Sequence, residues 1–147
     1  MVYAFKFDKV LAMKEKEKET AISEYNEALK RFEEVAEKLY RCLKQKEDYE
    51  RIHKQKLQLG LSIQDIRYFQ QFMTNLERTI HHYQHLVIQA REQMQAKQAK
   101  LAELNIEVKK YEKMKEKHVQ TVLQTIRANE NKWMDEISIQ QFANRRN

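Results

Sequence analysis

The sequence predicts an all-α protein, an antiparallel two-helix coiled-coil hairpin with a C-terminal helical overhang. The 147 residues include one glycine and no proline, and 34% are Asp, Glu, Lys or Arg, compared with about 25% in a typical globular chain. Apolar residues recur at alternating spacings of three and four along two long segments, which is typical of a coiled coil and argues against disorder. A predicted turn at Gly60 separates the two segments.

The first helix is expected from about residue 5 to residue 58. Lys18 interrupts its apolar pattern upstream, and Lys46 and Glu50 fall on the pattern downstream, so we expect the downstream end to pack less tightly. The residues predicted to face the second helix are Ile22, Tyr25, Leu29, Phe32, Ala36, Leu39 and Leu43.

The turn is predicted by several residue types that agree with one another. Gly60 can adopt the left-handed conformation that ends a helix. Ser62 is suited to cap the second helix, with Asp65 near the position of a capping box. Leu61 and Ile66 have the spacing of a hydrophobic staple. A connection this short makes the two helices antiparallel neighbours.

The second helix is expected from about residue 63 to residue 143. Its apolar repeat is more regular than that of the first helix and predicts a left-handed supercoil. The predicted core positions are Ile66, Phe69, Met73, Leu76, Ile80, Tyr83, Val87, Ala90, Met94, and then, after Lys97, Leu101, Leu104, Val108 and Tyr111.

The second helix is the longer one, so the N-terminus should meet it near residues 115–118. We therefore expect one elongated domain over residues 1–147 in which an overhang, 119–147, lacks a partner inside the hairpin, and the turn occupies 59–62. Such an overhang docks on another protein, self-associates or frays, and its apolar residues favour docking. These residues are Ile126, Trp133, Met134, Ile137 and Phe142.

Charge and composition exclude several classes of protein. The 28 basic residues, which give a net charge of +6, alternate with 22 acidic ones, whereas a nucleic-acid-binding face would carry one sign. The single cysteine, Cys42, allows no disulfide framework and suits a reducing compartment. No apolar stretch approaches the ~20 residues of a membrane span, and the N-terminus lacks the core of a signal peptide. We expect a cytoplasmic protein without membrane insertion.

Candidate catalytic chemistry is sparse. His81 and His85 have the helical spacing of a metal site and His82 lies between them, but a zinc site needs further ligands, and Glu77 is the only candidate one turn away. Surface histidines are the better interpretation. The chain has no phosphate-binding loop, nucleophile elbow or paired-carboxylate cleft, so we expect no enzyme activity, cofactor or metal.

One strip beside the predicted core has two interpretations. Phe72, Thr79 and Leu86 recur every seven residues next to the core positions of the second helix. They either widen the buried face, or they mark a partner-binding strip that runs along Phe72, Leu76, Thr79 and Tyr83. The residues alone leave both interpretations open.

Two segments and the overall plan of two long helices resemble the flagellar FliJ family, in particular its members from Bacillus-like bacteria. The segments are Tyr3-Ala4-Phe5-Lys6-Phe7-Asp8-Lys9-Val10-Leu11 and Arg67-Tyr68-Phe69-Gln70-Gln71-Phe72, the latter followed by Leu76-Glu77 and Ile80. The resemblance covers essentially the whole chain.

The resemblance implies a soluble component of the flagellar type III protein export apparatus, similar to the central stalk of rotary ATPases. The implied partners are the export ATPase ring, the cytoplasmic domain of the export gate and export chaperones, at the cytoplasmic face of the membrane. The implied gate-binding residues are Phe72, Leu76, Thr79 and Tyr83; enteric members have Ala and His at the last two positions. By analogy with the stalk, the overhang would contact the ATPase.

Two other functions fit the same fold. One is a structural or adaptor coiled coil that self-associates and has no role in export. The other is a basic nucleic-acid-binding protein, whose affinity would fall steeply with salt and which the mixed charges disfavour.

Overall fold

The computed structural model describes residues 4–146 and confirms the helical hairpin. Helix α1 spans Asp8–Leu59 and helix α2 spans Ile63–Arg146, and the two pack against each other in antiparallel directions. Both helices begin and end within three residues of their predicted bounds. Tyr3, the first residue of the FliJ-like N-terminal segment, lies outside the described residues, as do residues 1–2 and 147 of the predicted domain.

The chain divides into two compact units. Unit 1 consists of Met1–Glu19 together with Glu103–Asn147, and unit 2 consists of Thr20–Ala102. Unit 2 contains the turn, and unit 1 contains the N-terminal segment and the C-terminal part of α2.

The turn has the backbone conformation and the helix cap that the sequence predicts. Gly60 has a φ of 92°, in the left-handed region that a side chain disfavours, and its backbone N–H donates to the carbonyl oxygen of Leu57 at 3.3 Å. Ser62 caps α2, because its hydroxyl oxygen accepts a hydrogen bond from the backbone N–H of Asp65 at 3.1 Å. The N–H of Ile66 bonds to the carbonyl of Ser62 at 3.2 Å and starts the helix.

The predicted core face of α2 is confirmed along its length. Each predicted position is buried or half-buried, and Val108 is the most buried large side chain. In unit 2, Met73, Leu76 and Ile80 form a cluster on which Leu39, Cys42 and Phe69 pack.

The predicted core face of α1 is confirmed in its middle and wrong at its two ends. The five predicted residues from Tyr25 to Leu39 are half-buried as expected, but Ile22 and Leu43 are exposed. Small residues beside this face are also buried or half-buried against α2, namely Ala21, Ala28, Val35 and Cys42. The large side chains of α2 fill the space between the helices, so small residues of α1 fit opposite them.

Lysines that interrupt the apolar pattern form ion pairs between the helices. In unit 2, the Nζ of Lys97 lies 2.9 Å from a carboxylate oxygen of Glu24, and that of Lys46 lies 3.7 Å from Glu77. These pairs, with Arg31 hydrogen-bonded to Gln93, fix a register that the apolar repeats alone leave open by a heptad.

In unit 1, the N-terminal residues meet α2 where expected. The Nζ of Lys115 lies 3.1 Å from an Asp8 carboxylate oxygen, and the ring of Phe5 lies 5.6 Å from that of His118. Phe7 packs on Tyr111 with ring centroids 5.9 Å apart. The predicted meeting point near residues 115–118 is confirmed.

Candidate functional site

The strip predicted for partner binding is only partly at the surface. Phe72 is 36% exposed, Thr79 is exposed and Tyr83 is half-buried. Leu76 is only 7% exposed, and its side chain belongs to the core cluster of unit 2. In the folded hairpin, Leu76 therefore supports the strip from beneath, and the surface that a partner can reach consists of the other three side chains.

Local contacts hold Phe72, Thr79 and Tyr83 in place. The ring of Phe72 packs on Tyr49 of α1, with centroids 4.5 Å apart. The hydroxyl of Thr79 donates to the carbonyl of Asn75 at 3.1 Å, and the ring of Tyr83 lies 5.5 Å from that of His82. Phe72 is therefore both exposed and packed against α1.

Sequence reasoning missed an aromatic groove that begins at Phe72 and runs towards the turn. It has a volume of about 380 Å³. The rings of His53 and Phe69 stack in parallel within it, with centroids 3.6 Å apart. Its lining residues are Tyr49, Ile52, His53, Lys56, Leu61, Asp65, Tyr68, Phe69 and Phe72. Aromatic residues near the end of α1 and the start of α2 could have indicated it, because a hairpin brings these two segments together.

The second candidate surface lies on α2 in unit 1. Trp133 is 62% exposed, and Met134 and Phe142 are exposed to a similar degree. Ile126 and Ile137 are half-buried. Val119, Leu123 and Ile139 are also exposed, so large apolar side chains line this part of the helix beyond the residues that sequence reasoning selected.

A basic face, whose lining residues include no acidic side chain, lies nearby in unit 1. Lys109, Lys113 and Lys117 follow one another at four-residue spacing, with Lys110 beside them, and they surround the exposed side chain of Ile106. The mixed charge of the whole sequence therefore does not extend to every face of α2.

Glu24 and Lys14, which each belong to an interhelical ion pair, have shifted pKa values. A hydrogen bond from Lys97, followed by the positive charges of Lys97 and Lys100, lowers the pKa of Glu24 below its ordinary value of 4.5. A hydrogen bond to Glu107 raises the pKa of Lys14 above 10.5. Both shifts favour the charged forms, so these pairs act in holding the helices together.

His81, His82 and His85 are close together in the sequence, but they do not form a metal centre. Within residues 4–146, no group of three or more His, Cys, Asp or Glu side chains is placed to hold a metal ion. The ring of His85 instead lies 3.2 Å from the side-chain nitrogen of Gln89. Neither helix, over the same residues, is long and apolar enough to cross a membrane.

Comparison with known proteins assigns the chain to a family. The family model described as Flagellar FliJ protein matches residues 3–147. The chain belongs to the flagellar FliJ family. It is 50% identical over 142 residues to the Flagellar FliJ protein of Bacillus subtilis (strain 168), and the alignment covers 97% of each of the two FliJ chains. No solved structure was found to match the chain.

Membership of the FliJ family confirms the resemblance seen in the sequence. It points to a component of flagellar protein export.

Proposed function

We propose that the chain is a stalk-like coiled coil that couples the flagellar export ATPase ring to the export gate and assists export substrates or their chaperones. The observation that carries this proposal is that α2 leaves large apolar side chains exposed in two separate stretches of its sequence, around Phe72 and from Val119 onward. Exposed apolar groups on a helix favour contact with other proteins, and a protein that links the ATPase ring to the gate needs two such contacts.

The C-terminal stretch of α2 is the proposed ATPase-binding surface. Trp133 and Met134 are adjacent and exposed, and Phe142 extends the apolar surface two turns further on. Tryptophan is prominent among the residues that dominate binding energy at interfaces, and an amphipathic helix commonly docks into a groove of its partner. We therefore assign the largest share of ATPase affinity to Trp133, with smaller contributions from Ile126 and Ile137.

The strip in unit 2 is the proposed gate-binding surface. Phe72 supplies an exposed aromatic side chain, and Thr79 and Tyr83 follow it along α2. Leu76 is retained in this site as a supporting residue, because its burial fixes the position of the helix face that a partner would contact. The chain would act at the cytoplasmic face of the cell membrane, at the flagellar base, as a peripheral component.

Substitution of the exposed strip residues tests gate binding. Phe72→Ala combined with Tyr83→Ala should weaken binding to the purified cytoplasmic domain of the gate at least tenfold, because aromatic side chains at the centre of an interface each contribute roughly 2 kcal/mol or more. Tyr40→Ala is the matched control, since Tyr40 is an exposed tyrosine of unit 2 that lies outside the strip. Titration calorimetry with unchanged affinity in the double variant would remove the strip from the proposal.

A second pair of substitutions tests ATPase binding. Trp133→Ala with Met134→Ala should weaken binding to the purified export ATPase about thirtyfold, which corresponds to about 2 kcal/mol, while circular dichroism stays unchanged. Ile88→Ala controls for loss of an exposed apolar side chain of α2 in unit 2. Equal loss in the control and the double variant would contradict a specific contact at the C-terminal stretch.

The alternative of a self-associating structural coiled coil predicts a different result. The exposed C-terminal stretch would then pair with a second copy, and the sedimentation coefficient would rise with protein concentration. A constant sedimentation coefficient, together with binding to the ATPase and the gate, supports the export role instead.

A further inference from the structure

The turn end of unit 2 exposes large aliphatic side chains that the turn itself does not need. Leu59 is 88% exposed and Ile63 is 73% exposed, on either side of the three non-helical residues. The conformation of the turn is already set by Gly60 and Ser62. Water contact with two such side chains is unfavourable, so their presence points to a surface that covers them.

More apolar and aromatic side chains lie just behind these two. Leu57 and Tyr68 are both exposed, and the hydroxyl of Tyr68 accepts a hydrogen bond from the side-chain amide of Gln64 at 3.0 Å. We call Leu57, Leu59, Ile63 and Tyr68 the turn tip. It combines aliphatic side chains at the end of the hairpin with an amphipathic tyrosine ring behind them. This arrangement suits a membrane interface, where aliphatic groups lie deeper than the polar tips of aromatic rings.

The charge around the turn tip is predominantly positive. Residues 51–68 include four Lys or Arg and a single acidic residue, Asp65. Lys54, Lys56 and Arg67 are exposed at its flanks. A surface that receives the turn tip should therefore be apolar inside and negatively charged outside.

We propose that the turn tip docks on the surface of an anionic phospholipid bilayer. The aliphatic side chains would enter the boundary between headgroups and acyl chains, and the flanking cations would contact lipid phosphates. This inference goes beyond the proposed function and does not depend on it, since the site uses neither the strip nor the C-terminal stretch. It involves shallow contact only, because neither helix can cross a membrane over the described residues.

The placement of the aliphatic residues favours a bilayer over a helical protein partner. A docked helix needs anchors spaced three, four or seven residues apart along one face. Leu59 and Ile63 instead flank the end of the hairpin, one at the last position of α1 and one at the first position of α2. A convex end of this kind fits between lipid headgroups more readily than it fits along a helix.

Co-sedimentation of the full chain with vesicles tests the proposal. Vesicles that contain phosphatidylglycerol should pellet the protein, and vesicles of pure phosphatidylcholine should pellet far less. Binding should weaken as salt is added, because the cations contribute through a screened interaction. If phosphatidylglycerol vesicles bind no more protein than phosphatidylcholine vesicles, the inference is overturned.

Substitutions separate the apolar and the ionic contributions. Leu59→Ser with Ile63→Ser should reduce the partition coefficient at least tenfold, since each buried aliphatic side chain contributes roughly that factor. Lys54→Glu with Lys56→Glu should reduce it by about fivefold or more for each cation lost. Lys109→Glu with Lys113→Glu is the matched control, because it makes the same charge change on the basic face of unit 1. Equal losses in the two charge variants would overturn a specific role for the turn tip.

A fluorescence reporter locates the contact. Trp133 is the single tryptophan of the chain, so Trp133→Phe gives a background into which Leu59→Trp can be introduced. Emission from the reporter at position 59 should shift to the blue on phosphatidylglycerol vesicles, because the ring leaves water. Emission from Trp133 in the unmodified chain should stay unchanged. A shift at Trp133 without a shift at position 59 would contradict the proposal.

Discussion

Replacement of Leu76 by Ala should destabilise the hairpin strongly, although Leu76 belongs to the strip that the sequence suggests for partner binding. The side chain is 7% exposed and packs in the cluster with Met73 and Ile80. Leu→Ala deletes three carbons, each worth about 0.8 kcal/mol of transfer free energy, and leaves a cavity that the long helices fill only in part. We expect the free energy of unfolding to fall by about 2.5–3.5 kcal/mol.

Urea unfolding followed by circular dichroism measures this effect. Leu59→Ala is the matched control, because the same atoms are deleted from a side chain that is 88% exposed, and its effect should stay within about 0.5 kcal/mol. With a slope of about 2 kcal/mol per molar urea, the midpoint of the Leu76→Ala variant should fall by more than 1 M relative to the control. Midpoints that agree within about 0.3 M would refute the assignment of Leu76 to the core.

The remaining predictions concern the turn and one ion pair. Gly60→Ala should cost about 1 kcal/mol, because φ is 92° and no atom lies within 4 Å of an added Cβ, so the cost comes from the backbone; Gly60→Asn should cost less in the same urea assay. Ser62→Ala should cost about 1 kcal/mol through loss of the cap, and Ser62→Asn should retain most of the stability. The pKa of Glu24 is lowered in the folded state, so its contribution is present above the ordinary value of 4.5 and is lost as pH falls below it. The wild type should therefore be more stable than Glu24→Gln at pH 7, and thermal melts should show that difference disappear in acid; a difference that persists would contradict the role of Lys97.

The sequence predicted α2 better than α1, and the reason is physical. At Leu76, Ile80 and Leu104, for example, the apolar residue of α2 is large and both of its neighbours are polar, so a single face stands out. In α1, by contrast, Ile22 and Leu43 are adjacent to Ala21 and Cys42, and the pattern alone favours the larger residue of each pair. Packing reverses that choice, because the space opposite the large residues of α2 accepts small side chains.

The sequence indicated where the candidate strip lies along α2, but not which of its side chains are exposed. Sequence spacing located the strip near Phe72, yet spacing could not decide whether Leu76 faces α1 or a partner, since it satisfies both patterns. The aromatic groove depends on Tyr49 and His53 of α1 meeting residues of α2. Contacts of this kind follow from the register between the helices, and the apolar repeats allow several registers.

The ion pairs of unit 2 have a consequence for how the hairpin can move. Some coiled coils transmit a conformational change along their length when one helix slides past the other by a heptad. Such a slide in one direction would bring Lys97 to Arg31, two like charges. In the other direction Lys97 would meet Glu17, but Glu77 would lose Lys46 and lie opposite Leu39. The three residues between α1 and α2 also provide no slack for the displacement. If a partner binds at Phe72, as we propose, we expect its effect to pass through bending or local fraying of a helix rather than through translation of one helix along its neighbour.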